Sequence, residues 1–155
     1  MNNPLPLDPQ GYPILTTDWA CTTTKTVTFA GGTTNDMGDY DGTGNPYTLF
    51  TVTGTVLLRL LAKCTTNLAG ATATLEVGTA LSTAGLIAQS TATDIDANEI
   101  WHDTTPDSSI EATSVLAQKI VSQNILQRVG TANITSGVIE YTAIYYPLSA
   151  GASVV

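Results

Sequence analysis

The chain has 155 residues, a net charge of −8 at pH 7 and 12% charged residues, about half the usual share of roughly 25%. Its five basic residues, Lys25, Arg59, Lys63, Lys119 and Arg128, are scattered, so no patch neutralises a row of phosphates or an anionic membrane surface. Nucleic acid and membrane are therefore not expected as partners. A domain of this length buries roughly 70% of its unfolded surface and can hold a core without metals or disulfides.

Thr takes the place of the missing charges. Its branched β-carbon suits strands and its hydroxyl suits wet faces, so the composition points to a mainly β protein. The first thirteen residues carry Pro4, Pro6, Pro9 and Pro13, a spacing that blocks helix and central strand alike. The expectation is an extended, polyproline-like arm over residues 1–20 ahead of one β domain over 21–155. Leu5, Leu7, Tyr12 and Ile14 are the arm's apolar residues and its candidate partner contacts. The N-terminus lacks the basic start and apolar stretch of a secretory signal. No apolar run reaches the 18 or so residues of a membrane span.

"KTVTFAGG" (25–32) predicts a strand with Val27 and Phe29 on one face. "GGTTNDMGDYDGTGNP" (31–46) has no apolar period and predicts a long exposed loop. "YTLFTVTGTVLLRLLAKCTTN" (47–67) is too long for one strand, so Gly54 marks a break or bend. Its second half begins apolar on both faces, predicting a central strand that emerges toward solvent at Arg59 and Lys63. "ATATLEVGTA" (71–80) and "GLIAQSTATDI" (85–95) read as two more strands.

"SSIEATSVLAQKIVSQ" (108–123) places Ala112, Val115, Leu116, Lys119 and Ile120 on one helical face. Ser108 and Glu111 make a capping-box pattern, which predicts one short helix. "NILQRVGTANITSGVIEYTAIYYPL" (124–148) is a hairpin candidate, and Val138 to Tyr145 is the clearest strand in the chain. The elements together predict a β-sandwich or small barrel.

Chemistry-bearing residues concentrate in "TDIDANEIWHDTTPDSSIEA" (93–112), which holds Asp94, Asp96, Glu99, His102, Asp103, Asp107 and Glu111. Read as a calcium loop from Asp94, it has Glu99 where the turn needs Gly and Thr105 where a bidentate Glu belongs. A zinc site needs several His or Cys, and His102 is the single His. Trp101 is expected to be a core or interface anchor. A second cluster, Asp36, Asp39 and Asp41 with Asn35 and Asn45, looks like half a calcium loop, but Asx-rich turns look the same without an ion. Cys21 and Cys64 are isolated and read as two reduced thiols. No nucleophile elbow, phosphate loop or triad is present, so neither an enzyme nor a cofactor is expected.

"LIAQSTATDIDANEIWHDTTPDSSIEA" and "VGTANITSGVIEYTAIYYPLSAGASVV" resemble small head-associated proteins of tailed bacteriophages, over roughly residues 75–155. The resemblance implies a virion structural protein: a capsid decoration or cement protein, made in the host cytoplasm and carried on the capsid surface. Its implied partners are the major capsid protein and further copies of itself, as a homotrimer or other small oligomer. Alternatives are a head-fibre, tail or receptor-binding component, or a free carbohydrate- or calcium-binding β module. For such a module, Tyr40 and Tyr47 beside the Asp-rich loop are the candidate platform.

Overall fold

Thr22, Thr24, Thr26 and Thr28 alternate with Val27 and Phe29, and the chain there is extended, with Thr toward solvent and the two apolar side chains buried. In the computed structural model, residues 20–32, 36–104, 106, 109–110 and 117–155 are described. The strands, in chain order, are β1 (Cys21–Phe29), β2 (Tyr47–Phe50), β3 (Val52–Thr53), β4 (Val56–Ala69), β5 (Thr74–Gly78), β6 (Ile87–Thr91), β7 (Ile100–Trp101), β8 (Lys119–Val121), β9 (Ile125–Gly130), β10 (Ser136–Pro147) and β11 (Ser153–Val154). A 3-10 turn, Ala92–Asp94, follows β6.

All pairings are antiparallel. One sheet runs β1-β10-β4, with β7 and β8 both laid along the far edge of β4. The other runs β2-β9-β5-β6. Hydrogen bonds between the sheets fix how they face each other. Lys25 of β1 donates to the Thr48 carbonyl of β2 at 3.2 Å. The Tyr141 hydroxyl of β10 donates to Gln127 Oε1 of β9 at 2.8 Å. Trp101 Nε1 of β7 donates to Ser90 Oγ of β6 at 2.8 Å. Strand lies over strand in the same order, which makes a two-layer β-sandwich of aligned type.

The core is the set of inward positions. On β10 and β4, Tyr141 is opposite Ala62, Ala143 opposite Leu60 and Tyr145 opposite Leu58, all buried. An Ala faces a larger residue in the first two pairs, and two large residues meet in the third. From the other sheet come Leu49, Leu75, Val77, Ile87, Ile125 and Val129. Tyr141 and Gln127 are buried but satisfy each other, so neither leaves a bare polar atom at this contact. Burial pushes the Tyr141 phenol well above its ordinary range, so it stays a neutral donor.

Gly54 does interrupt the long 47–67 stretch. Its φ of +67° lies in the left-handed region, and a Cβ there would meet Ala152 Cα at 3.2 Å. The break frees β3 to pair with β11, which closes one end of the sandwich. A bulge at Thr65, between the Val138–Thr66 and Ile139–Cys64 pairs, lets β4 bend further along.

Two expectations are corrected. The 124–148 stretch does form two strands, but they do not pair with each other: β9 joins the four-stranded sheet and β10 the five-stranded one. The connection crosses the core, with Ile134 fully buried in it and Thr131 at φ 67° turning the chain. The helix expected over 108–123 is contradicted where residues are described: Lys119–Val121 is a strand, with Val56 opposite Val121 and Leu57 opposite Ile120. Pairing with β4 buries Val121 and satisfies backbone groups that a helix would have turned inward. Ser108 and the 111–116 segment, including Glu111, lie outside the described residues.

Candidate functional site

The acidic segment is a strap along the edge of β4, and its Asp96 and Glu99 carboxylates are engaged by hydrogen bonds at the turn. Asp96 Oδ1 accepts from Asn67 Nδ2 at 2.7 Å, and Glu99 Oε2 accepts from the Asp96 amide at 2.8 Å. The Ala97 amide reaches Asn67 Oδ1 at 2.9 Å, and Asn98 takes the positive φ of 75° that the turn requires. Backbone bonds from Asn98 to the Cys64 carbonyl and from Cys64 to the Glu99 carbonyl tie the strap to β4. Trp101 is fully buried, the core anchor its type suggests. Ser90 Oγ relays its hydrogen bond onward to the Asp103 carbonyl at 2.7 Å.

His102 Nδ1 lies 3.6 Å from Asp103 Oδ2. Both border a cleft of about 270 Å³ between the sheets, with Leu60, Leu86 and Lys119. Lys119 Nζ is bonded to the Gly85 carbonyl at 2.6 Å, so the cleft's cation is engaged by backbone. Asp107 and Glu111 lie outside the described residues.

The Gly- and Asp-rich stretch is, among its described residues, a largely exposed loop, as expected. It is pinned to the β9–β10 connection: Gly31 donates to the Ile134 carbonyl at 2.9 Å and Ile134 donates to the Gly38 carbonyl at 2.9 Å. Gly38 has φ +114°, which only glycine adopts without strain. Asn45 Nδ2 bonds the Tyr40 carbonyl at 2.6 Å and the Val129 carbonyl at 2.7 Å, while its Oδ1 accepts from the Val129 amide. Asp39 is buried and its Oδ2 accepts from the Asp36 amide at 2.9 Å. Its Oδ1 is buried with no hydrogen-bond partner. Asp36 and Asp41 are exposed, and Asn35 lies outside the described residues.

Among the described residues, no three His, Cys, Asp or Glu side chains converge on a metal position. Tyr40 is 46% exposed, but Tyr47 sits beneath Lys25 Nζ, 4.8 Å from its ring centre, so the two tyrosines do not form one open platform. Cys21 is exposed and Cys64 buried, both free. Burial pushes the Cys64 thiol up.

The remaining feature is the outer face of the five-stranded sheet. Register places Tyr146, Leu57 and Ile120 in one row across β10, β4 and β8, and Ile144 beside Arg59 in the next. Leu61 opposite Thr142 comes third, and Lys63 opposite Glu140 fourth. Leu57, Leu61, Ile144 and Tyr146 are partly exposed, and Ile120 is 70% exposed. Arg59 stands among them with its Nε buried and without a hydrogen-bond partner. The face thus carries partly exposed Leu, Ile and Tyr around an Arg whose Nε lacks a partner, and exposed apolar patches are a common mark of contact surfaces.

Sequence reading had placed Arg59 as a residue emerging to solvent. Its apolar neighbours come from strands far apart in the chain, so only the register brings them together. The period-two signal in Leu57, Arg59 and Leu61, matched to Ile144 and Tyr146, was the available clue. The arm residues Leu5, Leu7, Tyr12 and Ile14 lie outside the described residues. No protein family, curated protein or solved structure matches the chain.

Proposed function

We propose that the protein is a structural component of a bacteriophage head, a decoration or cement protein that binds the outside of the capsid and stabilises it. It acts as a homo-oligomer, a trimer being the form suited to a local symmetry axis, with the major capsid protein as its partner. No reaction and no cofactor are part of this reading.

The observation that carries it is the patch of Leu57, Leu61, Ile144, Tyr146 and Ile120 around Arg59. A component held in a particle needs a contact face and no catalytic cleft. The phage-like phrasing of residues 75–155 and the proline-spaced arm support the same reading.

The test is co-sedimentation of purified protein with heads of the encoding phage assembled without it. Saturable binding, in a fixed ratio to the capsid subunits, is the expected result. Protein that stays in the supernatant at micromolar concentration refutes the capsid role.

A further inference from the structure

We propose that the Arg59-centred face receives the Asp-rich loop of a second copy of this chain, with Tyr40 packed on the face and Asp41 paired with Arg59. This rests on the self-association part of the proposed function, and on no part of the capsid role.

The two surfaces match in chemistry. The face offers partly exposed Leu57, Leu61, Ile144 and Tyr146 around a cation whose Nε lacks a partner. It calls for an apolar body and a carboxylate together. Tyr40 is 46% exposed and is followed by the exposed Asp41, and no basic residue lies between Ala30 and Pro46. A tyrosine ring packs on a guanidinium as well as on aliphatic side chains, and a carboxylate accepts from the guanidinium fork. The Asp96–Glu99 turn is less suited, because both carboxylates are engaged within the subunit and no aromatic residue lies between them. Face packed on face is disfavoured too, since overlaying the two apolar rows also brings Arg59 against Arg59.

The loop is held ready for contact. Tyr40 donates its amide to Asn133 Oδ1 at 3.0 Å, and its carbonyl accepts from Asn45 Nδ2 at 2.6 Å. The backbone that presents Tyr40 and Asp41 is thus fixed beforehand, and little ordering entropy is lost on docking. Its place in the fold rules out its own subunit. Asn133 precedes β10, whereas Ile144, which faces Arg59, lies eight residues along β10 from Ser136, on the order of 27 Å at about 3.4 Å per residue. Loop and face therefore sit toward opposite ends of the sandwich, and another copy must bring them together. A head-to-tail contact of this kind closes into a ring when the rotation between copies allows, and a closed trimer is built from such contacts.

Two measurements on the full chain test this. The first is light-scattering mass against concentration for Arg59→Glu, Asp41→Arg and the double exchange. Each single reversal is expected to weaken self-association about tenfold or more, and the double exchange to restore it. If Arg59→Glu fails to fold, Asp41→Arg and Tyr40→Ala, which alter only exposed side chains of the loop, still interrogate the same contact.

The second co-expresses two differently tagged chains in a Cys21→Ser background, one Tyr40→Cys and the other Leu61→Cys, under mild oxidant. A covalent pair carrying both tags is expected. An oligomer indifferent to Asp41→Arg and Tyr40→Ala, or cross-links that join only Leu61→Cys chains to each other, overturns the docking while leaving self-association standing. So does a mixture with no cross-linked hetero-pair. A wild-type chain that is monomeric at every concentration overturns both together.

Discussion

The two outer faces of the sandwich handle charge in opposite ways. On the four-stranded sheet, Glu76 is opposite Arg128, with Oε1 and Nε 4.0 Å apart, and Gln89 Nε2 adds a bond to Glu76 Oε2 at 3.3 Å. On the five-stranded sheet, Arg59 has apolar neighbours on both sides and across the strand, and its Nε has no partner. The first face pairs its charges within the subunit, although Thr74 Oγ1 beside Glu76 is buried without a partner. The second leaves Arg59 Nε without a partner in an apolar setting. A buried polar group left unmatched costs stability unless something else supplies the partner, so the unpartnered Nε in an apolar setting supports the proposed assembly contact at this face.

The largest expected effect follows removal of the proline-spaced arm, the proposed contact with the capsid. Deleting residues 2–13 is expected to weaken capsid binding by orders of magnitude, because four large apolar side chains per copy, each worth roughly 1.5–3 kcal/mol when fully buried, are lost together. The circular dichroism spectrum and melting cooperativity should stay nearly intact, since β1 begins after the deleted stretch. A truncated chain that decorates capsids as well as the full one makes the arm a passive leader. One that fails to fold makes it part of the core.

A smaller effect belongs to the layer between the faces. Tyr141→Phe leaves Gln127 Oε1 buried without its hydrogen bond, which costs about 1–3 kcal/mol, measurable by urea unfolding. The same residue shapes alkaline stability. Burial raises the Tyr141 phenol and the Cys64 thiol above their ordinary values, so the folded state holds these protons longer than the unfolded chain. Stability is intact below the unfolded values, 9.0 for the thiol, and falls as pH climbs from there toward the raised folded values. Tyr141→Phe should flatten that fall, and an unchanged alkaline slope would contradict it.

Smaller again is Glu76→Gln. Arg128 is half in solvent, with 47% of its side chain exposed, and surface pairs of this kind contribute at most about 1 kcal/mol. Melting should shift slightly and self-association not at all. A loss of association would show that the polar face, too, is a contact. Excess EDTA should leave the melting temperature where it is. A fall of many degrees would assign an ion to the loop holding Asp39, whose Oδ1 is unpaired, or to the Asp96–Glu99 turn.

Much of the fold is legible in residue order because strands expose a two-residue period. Thr22 to Phe29 and Val138 to Tyr145 declare their faces directly, and Gly54 marks the break before β4. The same period does not say which sheet a strand joins. Ile125, Gln127 and Val129 bury one face much as Ile139, Tyr141 and Ala143 do, yet the two strands lie in opposite layers. The Lys119–Val121 strand is three residues long, too short for a period to separate it from a helical spacing. The acidic stretch misleads for a related reason: Asp and Glu suit turns and ligand loops equally, and hydrogen bonds to Asn67 and the Asp96 amide decide between them. The Arg59 patch is set by register alone.

The most direct test of the Arg59 face as an assembly surface is the solution mass of the full chain with and without Leu61→Asp. Leu61 points outward from β4 in the patch, so the substitution places a charge on the contact while sparing the core. Light scattering coupled to size exclusion should give an oligomer, a trimer by the proposed reading, for the unaltered chain at micromolar concentration. It should give a folded monomer for the variant. A strictly monomeric unaltered chain, or an oligomer that Leu61→Asp leaves intact, would contradict the assignment of that face.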